Sequence, residues 1–179
     1  MTYGEPAAGA ARAGCHAWAL NEADSQPFLR QALDLGITFF DTANVYSSGA
    51  SEEVLGRFLK ANVRREAVVV ATKAHGTMRD EPNGRGLSRK ALMFELDASL
   101  RRLRTDRVEI YFNHAVNDPE RLRNPEWTEF ASRAKQAGKI RFTGISGHGG
   151  RLVECLDLAI DEKRVDVVLC AFNFGQDPA

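Results

Sequence analysis

The sequence has few cysteines, no long apolar run and no leader-like start. Its three cysteines, Cys15, Cys155 and Cys170, are odd in number and widely spaced, which argues against a disulfide framework and favours a reducing compartment. No apolar run approaches the roughly 20 residues that a bilayer-spanning helix needs. Residues 1–14 lack the basic start and apolar core of a signal peptide. We therefore predict a cytoplasmic protein with no membrane partner.

An excess of charge of either sign is also missing. The chain has 24 basic and 24 acidic side chains, so nothing in its net charge favours binding to nucleic acid. Cysteine and histidine pairs at the usual zinc-ligand spacings are absent too, and we predict no metal site. With 179 residues, of which 44% are hydrophobic, the composition predicts one globular domain over residues 1–179. Residues 1–23 show no clear periodicity and are predicted to be irregular.

Strands and helices are predicted to alternate along the chain. Helical patterns separate the predicted strands, the first capped by Asp24 or Ser25 and the third opened by Ser88. The strands are rich in Val, Ile and Phe and are mostly continuous in hydrophobicity, as parallel strands covered on both faces are. This alternation predicts successive βαβ units and a parallel sheet. The five predicted strands are residues 37–43, 67–73, 108–114, 140–146 and 165–174.

Two architectures fit a parallel sheet of this kind, an open doubly wound sheet and a (β/α)8 barrel. Open nucleotide-binding sheets usually have a glycine-rich turn after their first strand, and this sequence has none there. The glycine-rich stretch at 144–150 follows the fourth strand and does not match the G-x-G-x-x-G spacing. A barrel of the TIM type fits better, because its chemistry collects on loops at the carboxyl ends of several strands.

Four side chains with complementary proton chemistry lie at three consecutive strand ends: Asp41, Tyr46, Lys73 and His114. A lysine ammonium close to a phenol is expected to lower the phenol's pKa from its usual value near 10. A carboxylate would fix that lysine, and a neutral imidazole could donate a hydrogen bond to a carbonyl oxygen. Such a set suits the protonation of an oxyanion as it forms, which a carbonyl reduction requires.

Each of these residues also has a simpler interpretation. Asp41 could cap a turn, Lys73 could be solvated, Tyr46 could cover the edge of the core, and His114 could be structural. Their joint occurrence at neighbouring strand ends favours the functional interpretation. The polar loop 75–86 could be a substrate lid or a solvated connector.

Several segments together resemble the aldo-keto reductase family. The stretch GITFFDTANVY is similar to the first signature of that family, and VATK to its lysine strand. The segment that ends in VEIYFNH resembles the strand with the active-site histidine, and GKIRFTGIS resembles the next strand. These segments are residues 36–46, 70–73, 100–114 and 138–146, with SEEVLG at 51–56 as a further match.

The resemblance implies a (β/α)8 barrel, of which this chain would supply five βα units matching the second to sixth strands. It implies that Asp41, Tyr46, Lys73 and His114 form the catalytic tetrad, with Tyr46 as proton donor. Asp41 and Ser146 would also contact the cofactor, which is NADPH or, in some members, NADH. The implied reaction is the reduction of an aldehyde or ketone, a small-molecule carbonyl substrate, to an alcohol.

Two features depart from the family pattern. Gly147 occupies a position where many members have Asn, and Leu169 stands in place of the usual glutamine of the following strand. A barrel of five strands would also leave two open edges, for which three outcomes are open: self-association or association with another chain that closes the barrel, an open sheet of low stability, or an inactive fragment. The alternative hypothesis is a non-catalytic remnant or assembly piece that cannot bind the cofactor alone.

Overall fold

The computed structural model describes residues 3–4, 16 and 18–171. Five helices and five strands alternate in this part of the chain, as the sequence predicts. Short 3-10 turns lie at Tyr46–Gly49, Arg65–Ala67 and Pro119–Arg121. In chain order the main elements are α1 (Glu22–Asp34), β1 (Phe39–Asp41), α2 (Ala50–Asn62), β2 (Val69–Ala74), α3 (Arg89–Leu103), β3 (Val108–Asn113), α4 (Pro125–Gln136), β4 (Ile140–Gly147), α5 (Leu152–Asp161) and β5 (Val167–Cys170).

The strands form one parallel sheet in the order β1-β2-β3-β4-β5. The sheet curls into a half-barrel with helices on its outer side, an incomplete (β/α)8 fold. The barrel prediction is therefore confirmed. The predicted end of the last strand, Phe174, lies outside the described residues. Within the described part, no helix combines the length and apolarity needed to cross a bilayer.

The strand register places one set of side chains on the inner face of the half-barrel. One row of paired residues runs across the first four strands, through Asp41, Ala71, Ile110 and Phe142. Lys73 pairs in the same way with Phe112, and Ser146 with Leu169. Paired residues of neighbouring strands point to the same face and alternate residues share a face. The inner face therefore carries Asp41, Lys73 and Ser146 at its carboxyl end and apolar side chains below them.

The opposite face of the sheet packs against the helices and forms the core. Phe40, Val70 and Tyr111 point outward from their strands and join the largest buried cluster. The amphipathic helices supply the other side of this core. Their leucines recur one turn apart, so that each helix has an apolar face that packs against the sheet. Their buried side chains include Leu29, Val54, Leu55, Phe58, Leu92, Leu96, Leu100, Trp127 and Phe130.

The beginnings of two helices show how local sequence acts. Ser88 caps α3 as predicted, and its Oγ accepts a hydrogen bond from Ala91 N at 3.2 Å. The predicted cap of α1 at Asp24 or Ser25 is wrong. Asn21 is the cap, because its Oδ1 accepts from Asp24 N at 2.9 Å. Ser25 lies inside the first turns and donates to Asn21 O at 2.6 Å.

Candidate active site

The four predicted site residues lie together at the carboxyl end of the inner face. Asp41 ends β1, Lys73 lies near the end of β2, and His114 follows β3 directly. Tyr46 begins the turn after β1. Its ring centroid lies 5.6 Å from that of His114, with the planes at 75°, and 5.0 Å from Lys73 Nζ. The structure therefore brings the phenol ring next to both an imidazole and an ammonium group.

Lys73 is held from two sides in an almost fully buried position. Only 1% of the residue is exposed. Its Nζ forms an ion pair with Asp41 Oδ2 and donates to Thr42 O at 2.7 Å. Burial lowers the pKa of Lys73 and raises the pKa of Asp41, while their mutual attraction opposes both changes. The pairing thus fixes the ammonium beside Tyr46.

The pKa of Tyr46 differs from the sequence-based expectation. Burial, together with the smaller effect of the negative charge of Asp41, raises the pKa of Tyr46 to about 12. The expected lowering by Lys73 is therefore not seen. The main physical reason is burial of the phenol, and the carboxylate of Asp41, which is paired with Lys73, adds to it. Tyr46 is consequently a fully protonated phenol at neutral pH.

The turn that carries Tyr46 has an unusual backbone. Ser47 and Ser48 have φ values of 48° and 53°, in the left-handed region that non-glycine residues rarely adopt. Gly49 follows with φ of 100°, and a Cβ there would lie 2.8 Å from Arg102 Cδ. Asn44 N donates to Lys73 O at 3.1 Å and anchors the start of the turn. Strained backbone of this kind persists where surrounding contacts determine it, which is typical of functional sites.

His114 is neutral over the physiological pH range. Burial, together with the smaller effects of the charges of Lys73, His148, His75 and Arg121, lowers the pKa of His114 to about 3. A neutral imidazole has one N–H donor and one acceptor nitrogen. His114 can therefore donate a hydrogen bond to a substrate oxygen without carrying a charge.

Ser146 is the predicted cofactor contact, and its hydroxyl is partly used within the chain. Its Oγ accepts a hydrogen bond from Ala115 N at 3.0 Å, and its carbonyl accepts from Val116 N at 2.7 Å. As an acceptor, the hydroxyl keeps its own proton for donation to another group. Ser146 thus fits a carboxamide oxygen at the inner face. At Gly147 a Cβ would collide with Leu152 Cδ1, so an Asn side chain there would require the Leu152 side chain to shift.

The loop 75–86 is tied to the Tyr46 turn through a buried carboxylate. Glu95 on α3 is 3% exposed. Its Oε2 accepts from Asn44 Nδ2 at 3.0 Å, and its Oε1 accepts from Arg79 Nη1 at 2.5 Å. Arg79 also lies over the Phe94 ring, 3.9 Å from the centroid. The loop is therefore anchored at Arg79. Glu95 connects Arg79 to Asn44, which lies two positions before Tyr46.

Sequence reasoning missed three contributors to this site: Thr42, Glu95 and Arg121. Thr42 contributes through its backbone carbonyl, which the residue type at that position does not reveal. Glu95 and Arg121 look like ordinary surface charges in the sequence, and only the packing of α3 and of the Pro119–Arg121 turn reveals their contacts. In the described part of the chain, no three His, Cys, Asp or Glu side chains are grouped so as to hold a metal ion.

Comparison with known proteins identifies the family and the class of fold. The sequence profile described as the Aldo/keto reductase family matches residues 7–174. This match covers well over half of the 179-residue chain. The chain belongs to the aldo-keto reductase family.

Individual relatives agree with this assignment. An L-glyceraldehyde 3-phosphate reductase of Escherichia coli K12 is 38% identical over 155 residues, which are 84% of this chain and 44% of that protein. The aldo-keto reductase YhdN of Bacillus subtilis is 36% identical over 146 residues, 76% of this chain and 43% of that protein. The chain thus spans less than half the length of these curated relatives.

A solved structure shows the same fold. A Pseudomonas aeruginosa protein assigned to the aldo-keto reductases superposes with a TM-score of 0.73 at 29% sequence identity. The superposition covers 88% of this chain and 59% of that one. The half-barrel therefore corresponds to part of a complete (β/α)8 barrel.

Proposed function

We propose that this chain carries the proton-transfer site of an NAD(P)H-dependent oxidoreductase that reduces aldehydes or ketones to alcohols. The observation that supports it is the meeting of Tyr46, His114 and Lys73 at the carboxyl end of the inner face. Membership of a family of carbonyl oxidoreductases gives the reaction class. The substrate would be a small carbonyl compound.

The roles of the residues follow from their chemistry. When bound, the nicotinamide cofactor supplies the hydride. His114, neutral and a donor, orients the carbonyl oxygen by a hydrogen bond. Tyr46 gives its proton to that oxygen as negative charge develops, because an alkoxide is a far stronger base than a phenolate. Lys73 stabilises the phenolate that remains, and Asp41 holds Lys73 in place.

Binding of the cofactor is assigned to residues near this proton donor. Ser146 would donate its free hydroxyl proton to the nicotinamide carboxamide, and Asp41 would contact the cofactor from the end of β1. NADPH is the proposed cofactor, with NADH as the alternative. A cytoplasmic location is a prediction that goes with a soluble nicotinamide cofactor.

A titration tests this proposal on the chain itself. NADPH fluorescence should change on addition of the protein at micromolar cofactor, and a parallel titration with NADH ranks the two cofactors. Ser146→Ala should weaken binding several-fold, because one hydrogen bond is lost. Ser132→Ala, an exposed serine on α4, is the matched control and should bind as the unmodified chain does.

The second candidate is a non-catalytic piece that holds the tetrad but cannot bind the cofactor alone. It is favoured by the open inner face, where Phe39, Phe142 and Leu169 remain between 39% and 46% exposed. Absence of binding at millimolar NADPH and NADH, with a folded protein by circular dichroism, would establish this candidate and exclude the enzymatic proposal for this chain.

A further inference from the structure

Arg121 makes a set of contacts around His114 that the catalytic roles above do not use. It lies in the Pro119–Arg121 turn. Its Nη1 donates to Ala115 O at 2.7 Å, and its Nη2 donates to His114 O at 2.8 Å and to Asn113 Oδ1 at 2.6 Å. Three consecutive residues, with His114 in the middle, are therefore bound to one guanidinium group.

The backbone at this point needs such support. Ala115 has a φ of 52°, a left-handed conformation that is unfavourable for a non-glycine residue. Arg121 binds the Ala115 carbonyl on one side, and Ser146 Oγ accepts from the Ala115 N–H on the other. The two contacts together fix the peptide groups that follow His114, and with them the direction of its side chain.

Charge makes the arrangement unusual. Arg121 has no carboxylate within ion-pair distance among the residues that the structure describes. Its oxygen partners are two backbone carbonyls and an amide oxygen, all neutral. Burial lowers the pKa of Arg121 to about 10, which still leaves it charged at neutral pH. A residue that only held the backbone in place would not need to be a partly buried cation, since neutral hydrogen-bond donors can also bind carbonyl groups.

We propose that Arg121 is a positioning residue for His114: its hydrogen bonds to residues 113–115 fix the ring at the mouth of the half-barrel, and its positive charge adds to the other influences that disfavour protonation of the imidazole. This inference rests on the proposed role of His114 as a neutral hydrogen-bond donor. The geometry supports it through the three hydrogen bonds to residues 113–115.

The effect of the Arg121 charge on His114 depends on the other groups that surround the imidazole ring. The charged or titratable groups that face it are Lys73 from β2, His75 from the following loop, His148 after β4 and Arg121, with the Tyr46 ring edge-on. Lys73 has the largest effect of these charges on His114, although it is paired with Asp41. Arg121 has the smallest effect of the four and forms no ion pair among the described residues, although the charge of Asp118 acts on it.

Two substitutions separate the charge of Arg121 from its geometry. Arg121→Met removes both, and Arg121→Lys keeps the charge but cannot form the forked set of hydrogen bonds. Arg123→Met is the matched control, because Arg123 lies two residues away on the surface and pairs with Glu120 and Glu162. Side-chain nitrogen NMR, assigned with His114→Gln, reports the protonation of His114. Amide hydrogen exchange reports the backbone of residues 114–116.

The expected results differ for each variant. In Arg121→Met the pKa of His114 should rise by about one unit, and exchange at residues 114–116 should become at least tenfold faster. In Arg121→Lys exchange should accelerate, while the His114 pKa stays near that of the unmodified chain. Arg123→Met should change neither quantity.

Other outcomes contradict the proposal. If folded Arg121→Met leaves both the His114 pKa and the exchange rates unchanged, Arg121 does not position His114. If Arg121→Met does not fold, Arg121→Lys decides, and unchanged exchange in that variant overturns the positioning role. Both readouts work without cofactor or turnover. Failure of the proposed enzymatic activity is therefore measured separately, by the NADPH titration.

Discussion

The ring of Tyr46 meets the ring of His114 edge-on, with 5.6 Å between centroids, although 68 positions separate the two residues in the sequence. β1 and β3 bring them together through β2, which lies between them in the sheet. A carbonyl oxygen placed near both would have a proton source and a hydrogen-bond donor at once. This relationship is the physical basis of the proposed reaction.

The charge of Asp41 is expected to control the acidity of Tyr46. In Asp41→Asn the pKa of Tyr46 should fall from about 12, because the phenol loses the nearby carboxylate and gains the field of an unpaired Lys73. Ultraviolet titration of tyrosinate measures this, with Tyr46→Phe identifying the signal. Asp34→Asn, an exposed substitution on α1, should leave the titration unchanged. An unaltered or higher pKa in Asp41→Asn would contradict the assigned electrostatics.

Acid should destabilise the fold through two buried histidines. Burial lowers the pKa of His114 to about 3 and that of His75 to about 4. Both are neutral when folded, whereas the unfolded chain binds a proton at each near pH 6.5. The free energy of unfolding contributed by these residues is thus fully present above pH 6.5 and is lost as the pH falls toward 3.

Urea denaturation at a series of pH values measures this loss. The double variant His75→Gln, His114→Gln should show a flatter dependence on pH between about 6.5 and 4 than the unmodified chain. Equal slopes in the two proteins would show that the histidines are not buried as neutral groups.

Glu95 should hold the loop 75–86 in place. In Glu95→Gln the negative charge and one acceptor oxygen are lost, so that Arg79 loses its buried ion pair and Asn44 Nδ2 loses its present acceptor. We expect a loss of about 1–3 kcal/mol in the free energy of unfolding and faster hydrogen exchange in residues 75–86. Glu81→Gln is the control, because Glu81 binds the same arginine at the surface. A loop that exchanges equally in both variants would favour the solvated connector over an anchored segment.

The open inner face should drive self-association of the chain. Phe39 lies on one edge strand and Leu169 on the other, and both are more than 40% exposed. Edge strands with exposed apolar side chains pair readily with other chains. Size-exclusion chromatography over a range of concentrations should show oligomers, reduced in Phe39→Lys, Leu169→Lys. Leu35→Lys, exposed at the end of α1, serves as control. A monomer at every concentration would exclude this expectation.

Much of the fold could be predicted because its signals are local. Apolar runs and leucines one turn apart predict the strands and helices, and the parallel order follows from their alternation. Asp41 and Lys73 could be placed on one face because each lies at or near the carboxyl end of its strand in a parallel sheet. The cap of α1 was misplaced because Asn21, Asp24 and Ser25 are all good capping residues within one turn.

The remaining features depend on contacts between residues distant in sequence. The pKa of Tyr46 was expected to fall, because a nearby lysine is visible in the pattern and the competing burial is not. Arg121 and Glu95 have no sequence signal, since a charged residue on a turn or helix is usually solvated. Only the packing of these elements against the sheet shows which charges are buried.

The most direct test of the account is the effect of Tyr46→Phe on carbonyl reduction. Oxidation of NADPH by the chain with a generic aromatic aldehyde should be measured for the unmodified protein and for this variant, which keeps the ring contact with His114. Loss of the proton donor should lower kcat by about 100-fold or more, with little change in NADPH binding. Turnover that is unaffected by Tyr46→Phe would contradict the assignment of Tyr46, and with it the proposed site.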